Sequence, residues 1–305
     1  HGKGGKRVAN GLQTNGTLLN DEWGKFLADN DFLVGISIDG PAKYHDAYRK
    51  DSKGRPSFEK VKKGLEVLKK YGVEYNILAC VHKANQDHPV EVYKFFRDDL
   101  GAEFVQFIPI VERKRKRIPK KDLKQEATSS KSSRPGIRER DHDLERMPEL
   151  YDYSVDSLRY GEFLFKVFKE WIKEDVGKVF VQIFDTTLSA YFPSTPAGLC
   201  CFSRECGDAL VMEFNGDLYT CDHFVQPEYK VGNINDGSLL DMVTSEKQQR
   251  FGKRKIKDLS QKCLNCEVRF ICNGGCLRNR FPLGSDSKGK LNYLCEGYKY
   301  FFLKT

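Results

Sequence analysis

Eight of the chain's ten cysteines form a pattern in its last third, and that pattern limits what the chain can fold into more than any other feature. The run Cys263-x2-Cys266-x5-Cys272-x3-Cys276 lies between Cys200, Cys206 and Cys221 on one side and Cys295 on the other. Thiolates grouped this closely in a lysine- and glycine-rich segment are the usual means of holding zinc or iron–sulfur clusters. Eight of them suffice for two four-thiolate sites. Ten cysteines could also make five disulfides, but disulfide-dense chains are mostly short, and this one has 305 residues rich in lysine and glutamate. C-x2-C spacing in such a chain favours metal. A four-cysteine zinc site commonly uses two C-x2-C pairs, and only Cys263/Cys266 has that spacing. Cubane clusters take thiolates arriving from several directions. Spacing therefore leans toward iron–sulfur and leaves zinc open.

The rest of the composition narrows the class. Apolar residues make up 39% and aromatics 12%, enough for a packed core in one large domain or two. No apolar stretch approaches the length needed to cross a bilayer. No secretory signal is visible, although the chain starts at His1 rather than Met. The net charge of +8 comes from 51 Lys+Arg against 43 Asp+Glu. Much of the excess is local, in Arg113-Lys114-Arg115-Lys116-Arg117 followed by Lys120, Lys121 and Lys124. Such a run can bind nucleic acid, but no aromatics interleave with it for base stacking. It reads as a solvated loop.

Residues 1–112 alternate between strand and helix signals. Val8 to Leu12 reads as a strand entering the polar turn Gln13 to Thr17, and Asn20 or Asp21 as the cap of a helix to Asp29. Phe32 to Ile38 reads as a strand ending at Asp39-Gly40-Pro41. Ser57 can cap a helix carrying Val61, Leu65 and Leu68 at helical spacing. Val73 to Val81 is a further strand, His88-Pro89 opens a helix to Phe96, and Glu103 to Ile110 is the fourth strand. This order predicts a parallel sheet covered by helices. Gln13, Asn15, Ser37, Asp39 and Glu112 then fall at the strands' carboxyl ends, where such folds bind ligands.

Residues 113–150 read as a basic, flexible insertion containing Ser129 to Gly136. Residues 151–195 read as a connection, with an amphipathic helix Ser157 to Glu174, a strand Val179 to Phe184 and a helix Thr186 to Tyr191. From 196 to 305 the chain is cysteine-rich. Asn215-Gly216 between alternating apolar residues predicts a hairpin delivering Cys221 and Asp222. Helical turns are expected near Leu239 to Gln248.

The full array, Cys200-x5-Cys206-x14-Cys221 through Cys295, resembles the twin-cluster SPASM domain of radical S-adenosylmethionine (SAM) enzymes. The phrases Leu12 to Thr17, Val34 to Pro41 and Tyr219-Thr220-Cys221-Asp222 are similar to anaerobic sulfatase-maturating enzymes. The resemblance implies an α/β fold: a partial radical SAM (β/α)6 barrel, its last four strands in residues 1–112, followed by a small α+β SPASM domain at 196–305. It implies two auxiliary [4Fe–4S] clusters, one on Cys200, Cys206, Cys221 and Cys276, the other on Cys263, Cys266, Cys272 and Cys295. Cys201 and Cys80 stay outside the array, Cys80 reading as a small buried hydrophobe. The family's C-x3-C-x2-C motif, which holds a third [4Fe–4S] cluster, does not occur in this sequence, nor does the glycine-rich segment that meets the SAM amino group. The expectation is an N-terminally truncated enzyme, inactive by itself, with SAM and the third cluster only in the complete form.

The resemblance further implies oxidation of a sulfatase Cys or Ser to 3-oxoalanine (formylglycine). Asp222 would be the base, with a pKa raised beside a dry cluster site; a turn aspartate is the plain alternative. Ser37 and Arg49 would hold the SAM carboxylate, Arg49 by paired hydrogen bonds, and Val111 would contact SAM through its backbone. Gln13 and Asn15 are candidates for the substrate or cofactor edge, or simple turn residues. His45 reads as structural. Expected partners are a sulfatase or other peptide and an electron donor such as ferredoxin or flavodoxin, with no membrane and no nucleic acid. The setting would be cytoplasmic and reducing, in an anaerobic organism. Other SPASM-type peptide modification, an inactive cluster-bearing fragment, and a zinc-dependent nucleic-acid binder are the competing readings.

Overall fold

A computed structural model describes residues 8–114, 148–192, 198–282 and 290–305. Most of the 113–150 insertion lies outside the described residues. The chain divides into two compact units.

The first unit comprises residues 1–110, 152–199 and 294–305. Its centre is a parallel sheet in the order β1 (Asn10–Thr14), β2 (Phe32–Ser37), β3 (Tyr75–Val81), β4 (Phe104–Pro109) and β5 (Phe180–Val181). The strands form where β-branched and aromatic residues run together, and Val34, Ile36, Ile77 and Val105 are buried to 2% exposure or less. Each such side chain contributes about 1.5–3 kcal/mol by leaving water.

Between strands run α1 (Asp21–Asp29), α2 (Ala42–Tyr48), α3 (Phe58–Lys70) and α4 (Pro89–Lys94), the last continuing as a π-helical turn to Asp99. Asn20 caps α1 as expected, its side chain accepting from the Trp23 amide. Ser57 precedes α3 without capping it. Its hydroxyl turns back to the Arg49 carbonyl, and the Asp46 carboxylate accepts from the Ser57 and Phe58 amides instead.

The connection expected at 151–195 packs with the sheet instead of bridging domains. α5 (Ser157–Glu174) buries Tyr160, Phe163, Leu164 and Val167. The expected strand at 179–184 shortens to the two residues of β5, because α6 (Gln182–Ser189) begins earlier. The last helix, α11 (Cys295–Phe302), also joins this unit although the sequence reading placed it in the SPASM segment. It meets α5 at glycines: a Cβ on Gly297 would lie 1.9 Å from the Ser157 carbonyl oxygen, and one on Gly161 2.2 Å from that of Gly297.

The second unit comprises residues 111–151 and 200–293. β6 (Val211–Met212) and β7 (Asp217–Tyr219) make the expected hairpin, with Gly216 at φ 86° in its turn. A third strand, β8 (Lys230–Asn233), adds to β7. α7 (Leu239–Val243) and α8 (Glu246–Lys257) follow, α8 running well past the expected end at Gln248. Short helices α9 (Gln261–Leu264) and α10 (Arg269–Cys272), then the antiparallel pair β9 (Arg280–Phe281) and β10 (Leu291–Asn292), complete it.

Candidate iron–sulfur and SAM sites

The cysteine-bearing segments of the second unit are held by one face of α8. Gln248, Gly252 and Lys255 lie four and three residues apart, which places them along one side of the helix. Gln248 Nε2 donates to the carbonyls of Gly207 and Thr220, fixing the residues next to Cys206 and Cys221. Gly252 lets the chain approach: its carbonyl accepts from the Cys206 amide, and a Cβ there would lie 2.2 Å from the Cys206 oxygen. Lys255, with no exposed surface, donates from Nζ to the carbonyls of Cys200, Cys201 and Ser203 at 2.8, 2.7 and 2.5 Å.

The turn between Cys272 and Cys276 passes through the left-handed region at Asn273, Gly274 and Gly275. Arg280, 5% exposed, clamps it by donating to the carbonyls of Gly274 and Asn273, and reaches the Lys255 carbonyl with Nη1 at 2.8 Å. The Asn273 amide reaches the Phe202 carbonyl, and Asn292 that of Cys276.

These anchors bring Cys200, Cys206, Cys221 and Cys276 to one cavity of about 50 Å³, which Cys201 also borders. None of the ten cysteines is joined in a disulfide. Burial pushes the Cys276 thiol up to about 11 and raises those of Cys206 and Cys221. The negative charge of neighbouring thiolates adds to the rise at Cys276 and Cys206. Thiols gathered around one buried hollow, where burial chiefly and their neighbours to a lesser degree oppose ionisation, suit a cationic iron–sulfur core, which compensates their charge together. The residues present therefore fit the first cluster.

In the second set, Cys263 is buried in α9, Cys266 follows with its amide on the Cys263 carbonyl, and Cys272 ends α10. Cys295 opens α11 of the first unit.

Asp222 follows Cys221 directly, and the Cys221 thiol donates to its Oδ1 at 3.1 Å. His223, which the sequence reading passed over, places Nε2 4.0 Å from Asp222 Oδ2 and Nδ1 3.5 Å from Cys276 Sγ. The dry setting expected for Asp222 is not found. Its side chain is 67% exposed, because the turn after β7 points outward at the cavity rim.

In the first unit, Ser37 ends β2 half-buried; Val111, two residues beyond β4 in sequence, belongs to the second unit. Arg49 follows α2, an element the sequence reading missed, and turns back to the end of β2. There its Nε donates to Asp39 Oδ2 at 2.6 Å and its Nη2 to Cys80 Sγ at 3.3 Å. The side-on edge of the guanidinium is thus taken, and a ligand carboxylate has the end-on edge with Nη1. Cys80 is a half-buried acceptor for Arg49 rather than an inert apolar group, and burial pushes its thiol up to about 11.

Asp39 is 1% exposed. It also accepts from the Cys80 amide and faces His82 Nε2 at 3.6 Å. Burial favours its neutral form, but His82, Arg49 and the Cys80 amide outweigh that and hold the carboxyl below its ordinary range. Asn85 ties the two strand ends by donating to the carbonyls of Asp39 and Cys80. His45 is structural as expected, between the Asp39 amide and the Ser57 hydroxyl. Asn15 uses its side chain on Thr17 within its own turn, and Gln13 is exposed.

His82, Lys255 and Arg280 escaped the sequence reading, which placed Asp39 at a strand end without giving it a role toward Arg49. Lys255 sits in Lys253-Arg254-Lys255-Ile256-Lys257, which looks like an ordinary solvated helix end. Only the spacing from Gln248 and Phe251 marks it as inward-facing.

A parallel α/β sheet with a ligand edge, joined to a unit that gathers four thiols around a hollow, defines a radical SAM enzyme with auxiliary iron–sulfur binding. Family comparison agrees. Residues 4–96 match the radical SAM superfamily, and residues 200–267 match the SPASM iron–sulfur cluster-binding domain. The serine-type anaerobic sulfatase-maturating enzyme of Bacteroides thetaiotaomicron is 45% identical over 298 residues, 98% of this chain and 68% of that protein. The cysteine-type enzyme of Clostridium perfringens is 33% identical over 302 residues, 97% of this chain and 71% of that protein. The solved structure of native anSMEcpe with bound AdoMet and Cp18Cys peptide superposes with a TM-score of 0.80 at 31% identity, over 98% of this chain and 74% of that one. The chain belongs to the anaerobic sulfatase-maturating enzymes, which are radical SAM oxidoreductases carrying a SPASM domain.

Proposed function

We propose that the protein oxidises a serine of a sulfatase peptide to 3-oxoalanine, with Asp222 as the base. The observation that carries this reading is the juxtaposition of Asp222 with Cys221 at the rim of the four-thiol cavity. The serine reading rests on one serine-type relative at 45% identity; other serine-type relatives, at 31%, are no more similar than the cysteine-type ones at 32–34%.

Cys200, Cys206, Cys221 and Cys276 would hold one auxiliary cluster, and Cys263, Cys266, Cys272 and Cys295 the other. Clusters and SAM, when bound, supply the one-electron chemistry that removes hydrogen from the target carbon. The chain's own groups bind and orient. Arg49, held by Asp39 beyond the end of β2, would offer its charge to the SAM carboxylate, and Ser37 at that strand end its hydroxyl. Val111 would offer backbone polar groups to SAM, and Gln13 carries an exposed amide in β1. An Asp222 carboxylate oxygen takes the proton from the substrate hydroxyl as the carbon is oxidised. Exposure of Asp222 suits this role, because a peptide can reach it. The proton, once accepted, can pass to His223 or to water. A low-potential donor such as ferredoxin or flavodoxin would provide and accept electrons. Residues 1–112 would then be the barrel portion and 196–305 the auxiliary-cluster portion.

The test joins the chain to a segment carrying a C-x3-C-x2-C motif and supplies SAM, reductant and a sulfatase peptide with Ser at the target. Loss of two hydrogens from that residue by mass spectrometry is expected. Reaction of the Cys peptide alone would overturn the serine assignment, and no mass change on either would remove the maturase reading. Asp222→Asn should retain SAM cleavage and lose peptide product; undiminished product would reject the base.

A further inference from the structure

Lys255 and Arg280 are buried cations with no carboxylate partner among the described residues, whereas the buried carboxylates among those residues, Asp39, Asp175 and Asp217, each have a cation beside them. Arg49 meets Asp39, and Asp175 meets Arg97. Lys255 has no exposed surface and Arg280 is 5% exposed. Both donate only to backbone carbonyls, and all of these belong to the cysteine-bearing segments or to Lys255 itself. Carbonyl dipoles satisfy hydrogen bonds but do not neutralise a charge, and burying an uncompensated cation costs several kcal/mol. Two such cations, joined through the Lys255 carbonyl, would be mutually repulsive in an otherwise neutral interior.

The anions that could compensate them are the thiolates of a bound cluster. Lys255 is drawn toward its charged form by Cys206, Cys201 and Cys276 against the larger effect of its burial. Arg280 feels Cys263, Cys206, Cys272 and Cys276. A cubane on four thiolates carries net negative charge and becomes more negative on accepting an electron. Net charge around a cluster is one of the quantities that set its potential.

We propose that Lys255 is the buried counter-charge of the auxiliary cluster held by Cys200, Cys206, Cys221 and Cys276, favouring its reduced state, and that Arg280, on the turn joining Cys272 to Cys276, is a counter-charge shared by both cysteine sets, while their hydrogen bonds fix the ligand-bearing turns. This makes them positioning and tuning residues, not catalytic ones, and it rests on the cluster assignment above. The arrangement explains why α8 turns a lysine inward at the one place where its Nζ meets three carbonyls of the Cys200–Ser203 segment.

The test uses the 305-residue chain reconstituted anaerobically with iron and sulfide, with Lys255→Met and Lys255→Arg alongside the unaltered protein. Iron is counted, and the clusters are titrated with dithionite under electron paramagnetic resonance. In Lys255→Met one midpoint should shift negative, while Lys255→Arg should stay near the unaltered value. Lower iron loading in Lys255→Met with full loading in Lys255→Arg supports the same conclusion, since charge rather than shape is then required. An unchanged midpoint in Lys255→Met at full iron loading would overturn the proposal. So would equal shifts, or equal loss of iron or fold, in both variants. If the unaltered chain itself binds no iron with sulfide, the cluster assignment fails, and the two failures are thereby distinguished.

Discussion

At the scale of single residues, the chemistry expected of Arg49 depends on Asp39, a residue legible at the end of β2 but not as the partner of Arg49. Asp39 is buried, accepts the Arg49 Nε–H at 2.6 Å, and so sets which edge of the guanidinium remains for a ligand. Breaking a buried ion pair by removing one partner is costly, because the other charge is left stranded. Arg49→Leu should therefore destabilise the protein by about 3 kcal/mol at neutral pH, read by urea unfolding. The sign with pH follows from the depressed Asp39 carboxyl. Its pairing adds stability above the unfolded carboxylate value, about 3.9, and the contribution is lost as pH falls through the lower folded value. The difference between Arg49→Leu and the unaltered protein should thus be full at pH 7 and shrink below about pH 4. A difference constant across that range would show that Asp39 does not depend on Arg49.

At the scale of elements, the legible features were those with local signals. Apolar runs gave β2, β3 and β4, and the Asn20 cap, the Val61/Leu65/Leu68 spacing and Asn215-Gly216 gave α1, α3 and the hairpin. What could not be read was set by distant contacts. α2 is a short helix whose His45, and Arg49 just after it, meet Asp39, ten or fewer positions away in sequence but across the strand end in space. α11 joins the first unit because Gly161 and Gly297 permit backbone contact, and a glycine in sequence does not disclose its partner. The inward face of α8 was hidden by its charged composition. Gly252 tests that face. Gly252→Ala would bring a Cβ to 2.2 Å from the Cys206 oxygen, and overpacking of this kind costs about 1–3 kcal/mol. It should lower the urea midpoint and reduce bound iron, whereas Gly54→Ala, at a position with open space but φ 75°, should leave iron content unchanged. Full iron in Gly252→Ala would show that the approach of α8 to Cys206 is dispensable.

At the scale of the whole molecule, the two units divide the work. One supplies a parallel sheet whose polar strand ends form a ligand edge, and the other supplies the thiol cavity with Asp222 at its rim. The cysteine spacing made the second unit legible in outline, and the resemblance to sulfatase-maturating enzymes supplied the partition of ligands that spacing alone could not. Among the described residues no helix is long and apolar enough to cross a membrane. The central claim is that the clustered cysteines bind iron and sulfide as cubanes. Metal and acid-labile sulfide counted per chain after anaerobic reconstitution test it most directly. About eight iron atoms with matching sulfide are predicted from two four-thiolate clusters. Zinc at one or two atoms per chain, with no sulfide, would contradict it.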